Sequence, residues 1–131
     1  MILIVCLDDK NGMSFGGRRQ SRDRVLTERI KSMAADKRLF MSEYSAKLYG
    51  GGVIACDNFT EMAKEGDLCF IENTLPPNGD IEKIIIYKWN RDYPADLYFT
   101  LDLDEFIQTS EYEFEGSSHE KITELVYVRS A

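Results

Sequence analysis

ILIVCLDDKNGMSFGGRRQSRDRVL, residues 2–26, sets three textures in a row. Residues 2–7 are an unbroken apolar run that stops at Asp8 and Asp9, the pattern of a strand covered on both faces. Gly12, Gly16 and Gly17 follow, then Arg18, Arg19, Arg22 and Arg24. From Ser21, a good N-cap, Val25, Leu26, Ile30, Met33 and Ala34 recur at helical spacing. Strand, glycine-rich loop, positive charge, helix is an order that can cradle a phosphate. The stretch is neither a Walker A loop, which needs Gly-Lys-Ser/Thr, nor a GxGxxG fingerprint. Arginines at a helix start oppose the macrodipole, and an anion bound there would relieve them. Pairing with Asp23 and Glu28 on the surface is the alternative.

Downstream, strands and helices alternate. Residues 38–41 predict a second strand, and 42–50 a short helix started by Ser42 and stopped by the glycines at 50–52. Residues 53–56 predict a third strand, and 57–66 a short helix capped by Asp57 or Asn58. Residues 68–73 predict a fourth strand, 74–80 a loop with two prolines, and 83–90 a long apolar strand. After Asp92, residues 95–102, 106–116 and 122–129 alternate apolar with polar, as antiparallel strands with one solvated face do. The expectation is an α/β fold. A central mixed β-sheet is flanked by short helices, and the C-terminal third is rich in antiparallel β. Residues 1–131 are expected to form one domain, with no repeat or linker.

Charge and composition narrow the function. The 131 residues are 44% hydrophobic and 30% charged, a globular balance, and the formal charge is −7. A diffuse acidic surface repels duplex nucleic acid and anionic membranes. Cys6, Cys56 and Cys69 are three in number with no CxxC, so reduced thiols buried in strands are expected. The start has no basic segment before its short apolar run, so neither a signal peptide nor a membrane span is expected and the location is read as cytoplasmic.

The single histidine, His119, cannot build the His-rich metal site of a ribonuclease Z or any di-zinc hydrolase, so no metal is expected. His119 itself reads as a partly exposed residue at a strand start, with acid–base work as the alternative. Near Asp102, Asp104 and Glu105, the row Glu111, Glu113 and Glu115 reads as a solvated strand face. Tyr112 and Phe114 should then point inward. Trp89, Tyr93, Tyr98, Phe99 and Phe106 read as core or rim packing rather than an aromatic ligand pocket.

Taken in order, these segments resemble dihydrofolate reductase, in layout more than in identity. MILIVCLDDKNGMSF is similar to that family's first strand and following loop, with Asp8 on the loop aspartate, Met13 on its isoleucine and Ser14 on its glycine. RLFMSEYSAKLYG resembles the strand and helix that carry Met-Gly-Arg-x-Thr, and DLCFIEN the strand that ends in Gly-Gly. ADLYF resembles Gly-Asp-x-x-Phe, placing Asp96 and Phe99, and SSHEKITELVYVR the closing strand with its Ser-His start. The resemblance implies a mobile active-site loop at the glycine stretch, an NADPH site and a pterin site. Asp23, one position off, is the nearest match to the carboxylate that helps protonate the pterin, and so the catalytic candidate.

The departures point away from reduction. The Pro-Trp pair that shields the pterin is replaced by RRQS. The arginine for the cofactor phosphate becomes Glu43 and the threonine Ser45. The Gly-Gly that admits the pyrophosphate becomes Glu72-Asn73, where side chains and a negative charge block close approach. Lost charge-assisted contacts at about 1.5–3 kcal/mol apiece predict no NADPH cofactor. The expected function is a non-catalytic binding or regulatory protein. Its partner is another protein or a small anionic ligand, held at Ser14, Arg18, Arg19 and Arg22. A divergent NAD(P)H-dependent reductase of a small heterocycle is the alternative, and an acidic inhibitor mimicking nucleic acid a lower one.

Overall fold

The computed structural model describes residues 1–76 and 80–130. The apolar run is β1, Ile2–Leu7, and its position explains its composition. It lies in the middle of a seven-stranded sheet with parallel neighbours on both sides. Ile2 and Ile4 enter one apolar layer, and Leu3, Val5 and Leu7 the other. Burying side chains of this size contributes about 1.5–3 kcal/mol each.

The other strands of this sheet are β4, Leu39–Met41; β5, Ile54–Ala55; β6, Leu68–Ile71; β7, Lys83–Lys88; β9, Phe106–Phe114; and β10, Ile122–Arg129. The order is β5-β4-β6-β1-β7-β10-β9. All pairs from β5 to β7 are parallel, and β10 and β9 are antiparallel. The fold is therefore α/β with a mixed sheet whose antiparallel part comes from the C-terminal third.

One face is covered by α1, Arg24–Ser32, through Leu26 and Ile30, and by α2, Glu43–Tyr49, through Tyr49. The other face is covered by α3, Phe59–Met62, through Phe59, and by Met13 and Phe99. A second sheet of three short strands lies apart: β3, Arg18–Arg19; β2, Gly12–Phe15; and β8, Leu97–Tyr98, in that order.

Several expectations change. The glycine stretch is a β-hairpin, not an open loop. Gly16 and Gly17 are its two turn residues, with φ of 59° and 75°, the type I′ geometry that suits the twist of flanking strands. The N-cap of α1 is Asp23, whose carboxylate accepts from Val25 N and Leu26 N, and not Ser21. Ser42 does cap α2; of the two caps expected for α3, Asn58 holds the N-cap position without a side-chain bond, and Asp57 accepts from Glu43 N at 3.0 Å instead. The strand expected over 53–56 shrinks to two exposed residues, so Cys56 sits beyond its end and is only partly buried. The strand expected over 95–102 shrinks to two residues that join the hairpin. Tyr112 is 51% exposed because β9 is the sheet's edge, although its ring lies 5.0 Å from the Arg29 guanidinium of α1. The loop expected at 74–80 lies partly outside the described residues, at 77–79.

Candidate functional site

The C-terminal ends of β1 and β6 open toward the hairpin, α1 and α2. This is where an open parallel sheet would hold a ligand. The hairpin is fastened over it. Its base is Asp8, 1% exposed, which accepts from Gly12 N at 2.7 Å, Lys10 N at 2.8 Å and Gln20 Nε2 at 2.9 Å. Burial alone would raise the Asp8 pKa, but these bonds to the charged form outweigh it and hold the carboxyl below the ordinary range.

The far strand is fixed by Arg19. Its Nε and Nη2 donate to the two Glu72 oxygens at 2.9 and 3.0 Å, and its guanidinium lies 4.5 Å from the Tyr44 ring centroid. Arg19 N donates to Tyr44 Oη at 3.0 Å. At the tip, Asn73 Nδ2 donates to Gly17 O at 2.8 Å, and Gly16 N donates to Asp96 at 3.1 Å. Thus Glu72 and Asn73 hold the hairpin down.

What remains beneath is two cavities of about 10 Å³ each. They share Cys6, Arg19, Ser21, Glu72 and Trp89 as lining. A single water needs about 10–15 Å³. Burial and the neighbouring Glu72 carboxylate push the Cys6 thiol well above its usual pKa, so it stays a neutral packing group.

Asp23 and His119 form a second knot beside the first. The imidazole is not partly exposed, as the sequence suggests; the two side chains are 0% and 1% exposed. His119 Nδ1 lies 3.0 Å from Asp23 Oδ2. A carboxylate only accepts, so Nδ1 carries the proton. Nε2 faces Tyr93 Oη at 2.8 Å and Ser21 Oγ at 3.3 Å, and the ring stacks on Trp89 at 4.6 Å. Asp23 also accepts from Ser117 N at 2.9 Å and Ser118 N at 2.8 Å. Burial pushes the Asp23 pKa up, and the Ser117 and Ser118 N–H groups, His119 and Leu26 N pull it further down, to a net value far below the ordinary one. Gly116 is required here, because a Cβ at that position would collide with the Asp23 carboxylate. Asp23 is thus bonded on both oxygens by its own chain, at the edge of the groove that it helps to line. No arginine pairs with it among the described residues.

The residues expected to bind a ligand separate. Ser14 is buried in β2, and Arg19 is turned inward onto Glu72. Arg18 is exposed on the hairpin. Arg22 lines a groove of about 490 Å³ outside the closed cleft, together with Arg24 and Lys31. Among the described residues none of these three cations makes an ion pair. Leu48 and Tyr49 supply an apolar wall, Glu28 and Asp23 also line the groove, and the Ser117 and Ser118 hydroxyls already bond the Asp23 carboxylate. A cavity of about 620 Å³ lies at the other end of the strands, where Met1 N and Arg129 already pair with Glu82 and Glu105. The sequence reading missed Lys31, which α1 turns to line the same groove. Two helical turns separate it from Arg24, spacing that a helical-wheel reading carries.

Among the described residues no group of three or more His, Cys, Asp and Glu could hold a metal ion, and no helix is long and apolar enough to cross a membrane. No family model matches the chain, and no curated protein matches it by sequence. Solved structures do match. A dihydrofolate reductase from Enterococcus faecalis, complexed with NADP(H) and RAB-propyl, superposes with a TM-score of 0.68 at 9% identity. The match covers 99% of this chain and 96% of that one. The fold is dihydrofolate reductase-like.

Proposed function

We propose that this chain is a binding or regulatory module on a dihydrofolate reductase-like fold, without reductase chemistry of its own. Its ligand is an anionic small molecule, or an anionic group on a partner protein. The reading rests on one observation. The cleft at the strand ends is closed to about 10 Å³ under the Arg19–Glu72 pair, while an open groove beside it is edged by Arg22, Arg24 and Lys31. A nicotinamide cofactor does not fit the first space. Among the described residues Arg22, Arg24 and Lys31 make no ion pair, and they outnumber the Glu28 and Asp23 carboxylates that share the groove, which suits an anion in the second.

Charge elsewhere supports the same reading. Glu43 begins α2, and the Asp57 carboxylate already accepts from its backbone N–H. Two acids there repel a phosphate and occupy the donor it would use. Ser14 and Arg19 shape the hairpin, on which Arg18 stands exposed outside the groove's lining.

The test is thermal unfolding of the full chain with added pyrophosphate and citrate. Binding to the native state alone raises stability by mass action, about 2.7 kcal/mol at a hundredfold excess over Kd. The midpoint is expected to rise by several degrees at low salt and to return toward the unliganded value at high salt, where exposed charges are screened. Arg22→Ala with Arg24→Ala should remove the rise while leaving the unliganded midpoint nearly unchanged. An equal rise in the double variant contradicts the groove as the site.

A further inference from the structure

The two edges of the main sheet are unlike. β5 ends one side with only two residues, which leaves little backbone to template a neighbour. β9 ends the other with nine, and among the described residues its single strand neighbour is β10. Seven consecutive residues, 107–113, are exposed, and two of them are large and apolar: Ile107 at 58% and Tyr112 at 51%.

We propose that β9 pairs with β9 of a second copy of this chain, antiparallel about a two-fold axis between Thr109 and Ser110. The register follows from an irregularity in the strand. Ser110 faces Val126 and Gln108 faces Tyr127, so Thr109 is an extra residue, a β-bulge. Past it the side-chain alternation changes phase. Tyr112 is opposite Glu124 and Ile107 opposite Val128, and both therefore stand on the sheet face that carries α1. Gln108, Glu111 and Glu113 stand on the other face, opposite Tyr127, Leu125 and Thr123. Residues five apart share a face only because of the bulge.

About this axis Ile107 of one copy meets Tyr112 of the other, twice. Gln108 meets Glu111 and Phe106 meets Glu113, each pair on one face. Aromatic–β-branched cross-strand pairs are favourable, and no like charges stand directly opposite. A register centred on Tyr112 would instead set Glu111 against Glu113. The exposed apolar pair, the bulge and the spacing of the carboxylates thus agree on one self-complementary arrangement. It joins two seven-stranded sheets edge to edge. An isologous contact of this kind closes and does not propagate.

Two strands with flanking side chains make a small interface, at the low end below about 1,200 Å², so association is a concentration-dependent equilibrium. Each monomer carries −7, so association should tighten as salt rises, opposite to the salt response of an anion-binding site. This inference does not depend on the proposed function.

The experiment is sedimentation equilibrium of the full chain across concentration. The weight-average mass is expected to climb toward twice the monomer mass. Ile107→Lys and Tyr112→Lys should both stay monomeric; Ile107→Lys should keep its melting point, and Tyr112→Lys, which also loses contacts with Arg29 and Phe114, is read by its mass alone. A Gln108→Cys chain mixed with a Glu111→Cys chain should oxidise to the mixed disulfide, whereas Gln108→Cys alone should not. Its two copies would lie three residues apart along the strands, about 10 Å, beyond disulfide reach of about 7 Å. The oxidised wild-type chain is the blank. A wild-type chain that stays monomeric throughout overturns the proposal. So does a lysine variant that still dimerises, or equal cross-linking of Gln108→Cys with itself.

Discussion

Asp23 shows how one side chain can fix two distant parts of the chain. It caps α1 and holds the 116–118 turn and His119, almost a hundred residues away. Because its folded pKa lies below the unfolded value of about 3.9, its stabilisation is complete above that value and is lost as pH falls further. Stability of the wild-type chain should therefore decline below about pH 4–5. Asp8, Asp67 and Glu82, whose values are also lowered, contribute to the same decline. Asp23→Asn is expected to lose about 2–3 kcal/mol at pH 7, the scale of charge-assisted bonds, and to show a shallower acid decline. Urea denaturation at several pH values measures both; an unchanged stability at pH 7 with the same acid slope would remove Asp23 from this role. The sequence pointed to Asp23 as the carboxylate of interest; the structure shows it as the cap of α1 and the anchor of the 116–118 turn. The burial of His119 was not legible at all. It depends on Asp23, Tyr93 and Trp89, which lie far away in sequence and leave no local periodicity.

The hairpin is the element on which the account turns. A glycine pair followed by arginines reads equally as an anion loop or as a type I′ turn, since both need residues at positive φ. The long-range partners decide: Glu72 and Asn73 are already waiting at the end of β6. Glu72→Gln keeps the shape but removes the charge that grips Arg19. With side chains 20% and 9% exposed, the pair is partly desolvated, and its loss should cost about 1–3 kcal/mol. Amide exchange of residues 12–19 should rise more than that of β1; equal protection in the variant would mean that the pair does not hold the hairpin. Other elements were readable because their signals are local. β1 is apolar throughout because both faces are covered, and α2 has Ser42 before it and Gly50 after it. The short strands at 54–55 and 97–98 were overextended, because apolar alternation continues past the residues that actually find a neighbour.

At the scale of the molecule, the alternation of strand and helix followed by alternating strands was enough for the class and the mixed sheet. The order of strands was reachable only through resemblance, and a match of 9% identity over nearly the full chain shows how different two sequences with one layout can be. Backbone layout survives because the two apolar layers constrain residue type and not residue identity. At the end of β6 an ion pair and an amide hold the hairpin closed over the strand ends. The most direct measurement is an isothermal titration of the full chain with NADPH. The account predicts no saturable heat at ordinary concentrations. Saturable binding with a Kd in the low micromolar range, about −8 kcal/mol, would show that the cleft opens to a nicotinamide cofactor and would contradict it.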